Sequence, residues 1–176
     1  MSKTKKIVII ALLVAQALVL HYIERMIPVN FGIPGAKLGL ANIITLVALY
    51  LFSFKDVLTI IILRTLMSTL MSGSVSGLLF SMVGGILSFL VMYGVKELGK
   101  DYVSTMGVSI IGAISHNIGQ IIVAAFIIES LKIAYYLPFL IIAAIGTGLF
   151  VGLTVNYLLG FLSKVDLIKH HPMTSN

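Results

Sequence analysis

Pro34-Gly35-Ala36-Lys37-Leu38-Gly39-Leu40-Ala41-Asn42 runs directly into Ile43-Ile44-Thr45-Leu46-Val47-Ala48-Leu49. The first passage sets a cation, two glycines and a side-chain amide where an apolar helix begins, and the second is greasy almost throughout. Polar groups at the mouth of a membrane helix are costly unless they meet a ligand or a partner. A second passage answers the first: Gly112-Ala113-Ile114-Ser115-His116-Asn117-Ile118-Gly119-Gln120, in the middle of a later apolar run. The two read as facing walls of one site in a bundle of membrane helices.

Composition agrees with that class. The chain is 59% hydrophobic and 10% charged, and its mean hydropathy of +1.13 describes a polymer whose solvent is mostly lipid. Its 176 residues leave room for about six helices of roughly 20 residues each. The expectation is an all-α integral membrane protein with six transmembrane helices in a single bundle. Residues 1–176 then form one transmembrane domain: 1–6 an N-terminal arm, 7–162 the bundle and 163–176 a polar tail. No room remains for a soluble catalytic domain. Cysteine is absent, which excludes disulfides and thiolate metal sites. The net charge of +6 sits in twos and threes between apolar runs, the pattern of membrane topology and not of nucleic-acid binding.

Taken in order, Lys3, Lys5 and Lys6 precede an apolar run from Ile7 that continues to Ile27. A cleaved signal peptide would share this start, but Leu18-Val19-Leu20 carries the run past Ala15-Gln16-Ala17, the stretch that imitates a cleavage site. Ala11 and Ala15 lie four apart on one face, where small side chains allow a second helix to come close. They are docking candidates, or they pack inside the bundle. Glu24 and Arg25 mark the water boundary, and Pro28 to Pro34 is a loop. The second helix is expected over 38–54, a turn at Lys55-Asp56, the third over 57–71, the fourth to Val95, the fifth over 103–128 and the sixth over 133–162. The second and third are short for a full span. His170-His171 belongs to a frayed end and is not read as a metal site.

An even number of crossings puts both termini on one side. Lys3, Lys5, Lys6, Lys55, Lys96, Lys100, Lys164 and Lys169 fall on that side, against Arg25, Lys37 and Lys132 on the other. The positive-inside rule makes the first side cytoplasmic, for a multi-pass protein of the cell membrane. Lys37 and Asn42 then lie toward the outer surface.

Depth sorts the remaining polar residues. His116 is near mid-membrane, and Gly112, His116 and Gln120 form an i, i+4, i+8 row with Asn117 beside it. They contact a ligand, or they form an interhelical hydrogen-bond cluster of about 0.6 kcal/mol per bond. Arg64 sits in the third helix, where a charge costs about 2.5–3.5 kcal/mol on insertion scales, so it faces a cavity or a partner. It either forks onto a ligand carboxylate or phosphate, or pairs with Glu24 or with backbone carbonyls. The acids Glu24, Asp56, Glu97, Asp101, Glu129 and Asp166 all fall at expected helix ends or in loops. An ion-coupled carrier keeps an acid in the membrane, and an ATPase needs G-x-x-x-x-G-K-[ST]; neither is read here, so uphill transport needs a separate energising subunit. With cations not matched by an intramembrane acid, the expected ligand is anionic or strongly polar.

PGAKLGLAN at Pro34–Asn42, the Leu63-Arg64 pair, Phe80-Ser81-Met82-Val83-Gly84-Gly85 and SHNIGQ at Ser115–Gln120 resemble the small membrane family called Gx transporter, or heptaprenyl diphosphate synthase component I. That family is similar, more distantly, to the substrate-binding S components of energy-coupling factor (ECF) transporters. The resemblance implies a six-helix protein that captures a small molecule from outside and docks on a transmembrane coupling subunit driven by two ATPases. It also likens Ala11-x-x-x-Ala15 to the alanine motif by which S components engage that subunit. The synthase name would suggest an enzyme, but prenyl diphosphate synthases hold Mg²⁺ with D-D-x-x-D motifs. Asp56, Asp101 and Asp166 stand far apart. The expectation is therefore a non-enzyme without metal or cofactor, with Lys37, Asn42, Arg64, His116, Asn117 and Gln120 binding a ligand and Ala11 and Ala15 a partner. The alternative is a non-catalytic membrane accessory subunit of heptaprenyl diphosphate or quinone-precursor synthesis, and a third class is a structural or regulatory membrane protein.

Overall fold

The computed structural model describes residues 2–26, 39–73 and 75–164, with the side chains of Arg25 and Asp101 left aside. Lys37, the 28–37 loop, Asp166, Lys169 and His170-His171 lie outside the described residues. Within them the chain is all-helical: α1 (Lys3–Met26), α2 (Leu40–Leu51), α3 (Phe54–Ser72), α4 (Val75–Gly99), α5 (Thr105–Ile128) and α6 (Leu137–Leu162). Short 3-10 turns precede α5, at Lys100–Tyr102, and α6, at Leu131–Tyr136. Four stretches are long and apolar enough to cross a membrane: Lys3–Glu24, Val75–Gly99, Thr105–Ile128 and Leu131–Leu162.

Two boundaries differ from those expected, each for a local reason. The chain reverses at Phe52-Ser53, ahead of Lys55-Asp56, because Ser53 and Asp56 form a capping box that opens α3. The sixth helix begins at Leu137, after the 3-10 turn that follows the Ser130 cap, with Pro138 in its first turn. Helix α2 has 12 residues, a length of about 18 Å against a hydrocarbon core of about 30 Å. It cannot cross alone, and it spans only part of the bundle's depth.

That short helix is the centre. Ile43 to Leu49 are buried without a break, since α2 packs on α1, α3 and α6 and touches α4. A helix apolar all round suits such a position. Around it, α4 packs on α3 and α5, and α5 packs on α6.

Small residues set the spacing of the outer helices. A Cβ on Gly119 would lie 2.9 Å from the Gly84 Cα, so α5 and α4 meet backbone to backbone. On the other flank a Cβ at Gly148 or Gly152 would lie 2.7 Å from the Cα of Ile110 or Met106. Close approach through glycine is how helices gain packing where lipid offers no hydrophobic drive between them.

Lys6 pairs with Asp56 at 2.7 Å, and Lys96 donates to the Leu49 carbonyl at 3.2 Å. The start of α1, the α2–α3 reversal and the end of α4 therefore share one end of the bundle, the end that carries most of the described lysines. Leu46, Leu49, Val57, Ile60, Phe89, Met92, Val108, Val155 and Leu159 fill this half with an apolar core. Phe54 packs on Phe89 and Tyr93 with ring centroids 4.9 and 5.0 Å away. The outer surface is studded with exposed apolar side chains, and aromatic residues ring both ends, Tyr102, Tyr157 and Phe161 at one and Phe126, Tyr135 and Phe139 at the other. Such belts mark the two faces of a bilayer.

Candidate functional site

The polar groups gather where α2 begins. Gly39 adopts a left-handed φ of 75°, which favours glycine, and α2 has no side-chain cap of its own at that residue. Glu24 reaches across from the last turns of α1, and its carboxylate accepts the Gly39 N–H. An anion there also suits the positive end of the helix dipole.

Arg64 is buried, with 8% exposure. Its Nη1 donates to the Ala41 carbonyl at 2.8 Å and its Nη2 to Asn42 Oδ1 at 3.2 Å. Ala41 stands ten residues from the end of α2 at Leu51 and Arg64 ten from the start of α3 at Phe54, about 15 Å at the helical rise. The guanidinium thus lies deep in the bundle, and the Glu24 charge acts on it there. The two readings of Arg64 meet: it pairs with a backbone carbonyl and feels Glu24, and it also faces a cavity.

Helix α4 passes between this cluster and α5 by means of adjacent glycines. A Cβ on Gly85 would stand 3.7 Å from Arg64 Nη2, and one on Gly84 would stand 3.0 Å from the His116 carbonyl and 3.2 Å from Gln120 Cγ. Larger residues at either position would push apart the walls that carry Arg64 and His116.

The cavity between the walls measures about 80 Å³. A single water needs roughly 10–15 Å³ of such space, so a compact molecule of a few heavy atoms fits. Asn42, Arg64, His116, Asn117 and Gln120 all line it, and Lys37 lies outside the described residues. Asn117 also serves packing, since its Nδ2 donates to the Leu140 carbonyl of α6 at 2.9 Å.

Sequence reasoning missed His21, Thr65, Ser68, Ser81 and Thr147 and raised Glu24 only as an alternative partner of Arg64; all six complete the polar lining. Glu24 was expected at the water boundary, with every acid kept out of the membrane interior. The structure turns it into the cavity because the start of α2 requires an acceptor there. A signal was present: Leu18, His21 and Glu24 recur every three residues, one face of α1. Among the described residues, no group of three or more His, Cys, Asp or Glu is placed to hold a metal ion.

The alanines divide between the two faces of α1. Ala17 is buried, lines the cavity and lies beside Val14, whereas Ala11 and Ala15 point away from the bundle. Among the described residues, packing does not account for Ala11 and Ala15. With this geometry in place, comparison with known proteins shows that the family model for heptaprenyl diphosphate synthase component I matches residues 13–158. No curated protein and no solved structure matches the chain.

Proposed function

The chain belongs to the heptaprenyl diphosphate synthase component I family, and from that premise we propose that it is a substrate-binding membrane subunit for uptake of a small polar molecule. The observation that carries this reading is the cavity: compact, deep in the bundle and lined mostly by polar side chains. A prenyl chain needs a long apolar groove, and a cavity of about 80 Å³ walled by Glu24, Arg64, His116 and Gln120 is the opposite in size and character. The subunit does no chemistry of its own. A separate transmembrane coupling subunit with two ATPases energises it, and the outward face of α1 with Ala11 and Ala15 is where that subunit docks. The protein lies in the cell membrane as a single transmembrane domain with both termini in the cytoplasm, and the cavity end faces outward.

Glu24 lines the same cavity as Arg64, so a carboxylate joins that cation in the walls and the ligand is read here as polar. Native mass spectrometry of the purified full-length protein tests the reading. A small hydrophilic molecule that stays bound, and is lost from Gln120→Leu, supports it; a retained isoprenoid overturns it.

A second reading follows from the family description, which implies a partner component. In it the chain is a non-catalytic accessory subunit of heptaprenyl diphosphate synthesis. Co-purification with a soluble prenyl synthase, in place of a membrane coupling subunit, would favour it.

A further inference from the structure

The described walls of the cavity carry one carboxylate and one guanidinium. Among the described lining residues, Glu24 is the one carboxylate and Arg64 the one guanidinium, and the others are amides, hydroxyls, imidazoles and small apolar groups. Each charge is held in place by α2: Glu24 by the Gly39 N–H, Arg64 by the Ala41 carbonyl and the Asn42 amide oxygen. A ligand with a single charge would meet, among the described lining residues, a fixed group of like sign as well as one of opposite sign, so its desolvation would be only partly offset there. A ligand with two opposite ends meets an anchored partner at each.

Size and wall chemistry narrow the class further. No Phe, Tyr or Trp is among the described lining residues, so nothing there stacks on a flat ring in the manner of an aromatic box. Ser68, Ser81, Gln120 and Thr147 offer hydrogen bonds in several directions. We propose that the cavity takes a compact, non-aromatic zwitterion, its anionic group toward Arg64 and its cationic group toward Glu24. This deepens the uptake reading and rests on the cavity being the ligand site.

The test uses the full-length chain in lipid nanodiscs and four three-carbon probes that differ in charge: β-alanine, propionate, propylammonium and propane-1,3-diol. Calorimetric titration and thermal unfolding are read for each. The expected result is that β-alanine binds at least about tenfold more tightly than the other three and raises the melting temperature. Glu24→Gln removes most of that preference, because the cationic end loses its partner. Ser81→Trp, checked for an unchanged circular dichroism spectrum, fills the cavity and abolishes binding of every probe. Propionate binding more tightly than β-alanine, or no difference among the four, overturns the zwitterion. In that case, loss of the natively retained molecule from Ser81→Trp leaves the cavity as the ligand site. β-Alanine binding that survives Ser81→Trp overturns the zwitterion site, and a natively retained molecule that survives it overturns the cavity itself.

Discussion

Arg64 joins stability to binding in one side chain. Its fork is anchored on Ala41 and Asn42, so Arg64→Met strands two acceptors in the interior and should cost about 1–3 kcal/mol of stability, read by thermal unfolding in micelles. Arg64→Lys should recover part of that loss, since one ammonium keeps the charge beside Glu24 but cannot span both acceptors in the same plane. His116→Ala belongs to the other wall. It should leave the fold intact and weaken ligand binding by about 1–3 kcal/mol, and Lys37→Ala carries the same expectation at the mouth. Unchanged affinity in both, measured by titration with the retained ligand, would mean that these residues only hold helices together. The contrast explains what could be read from the chain alone. Asn42, Arg64, His116 and Gln120 stand out because polar side chains inside apolar runs are conspicuous whatever the tertiary structure. Glu24 is chemically just as important, but it sits within the last turn of its helix, where an acid is cheap. Only the placement of Gly39 beside it turns that acid inward.

Helix boundaries and contacts obey the same division between local and tertiary causes. Ser53-Phe54-Lys55-Asp56 fits the capping-box pattern and could have fixed the start of α3, yet the charges of Lys55 and Asp56 draw the eye to them as the turn. Asp56→Ala removes both the cap and the bridge to Lys6. About 1 kcal/mol of stability should go with the cap; the partly exposed ion pair adds about 0–1 kcal/mol more. The glycine contacts could not have been read at all, because sequence does not say which glycine meets which backbone. Gly119→Ala places a methyl 2.9 Å from the Gly84 Cα, and overpacking of this kind costs about 1–3 kcal/mol. Ligand affinity should fall with it, as the wall that carries His116 and Gln120 is displaced from α4. Gly146 shares a helix with Gly148 but has nothing within 4 Å of its Cβ position. Gly146→Ala should therefore be neutral or slightly stabilising through helix propensity, and an equal loss in both variants would show that the backbone contact at Gly119 is not what sets its cost.

At the scale of the whole molecule the bundle has a packed apolar half and a polar half that holds the cavity, and α1 runs along both. This helix is lightly held: Val14 and Ala17 are its buried side chains, while Ile7, Val8, Leu12, Val19 and Ile23 are exposed. Its ends are tied by Lys6 to Asp56 and by Glu24 to Gly39. One face lines the cavity, and the opposite one carries Ala11 and Ala15 outward. That arrangement separates two properties that a perturbation inside the bundle would mix. Ala11→Trp with Ala15→Trp adds bulk on a face that no described residue covers, so folding and retention of the small molecule should be unchanged. Close approach of a partner helix should fail, because small residues are what allow it. The measurement is co-purification with a tagged coupling subunit expressed alongside, with native mass spectrometry of the same sample for the retained molecule. Loss of the partner with the molecule still bound locates docking on the outer face of α1. Loss of both would mean that the two alanines support the bundle, and retention of both would move the docking surface to another helix.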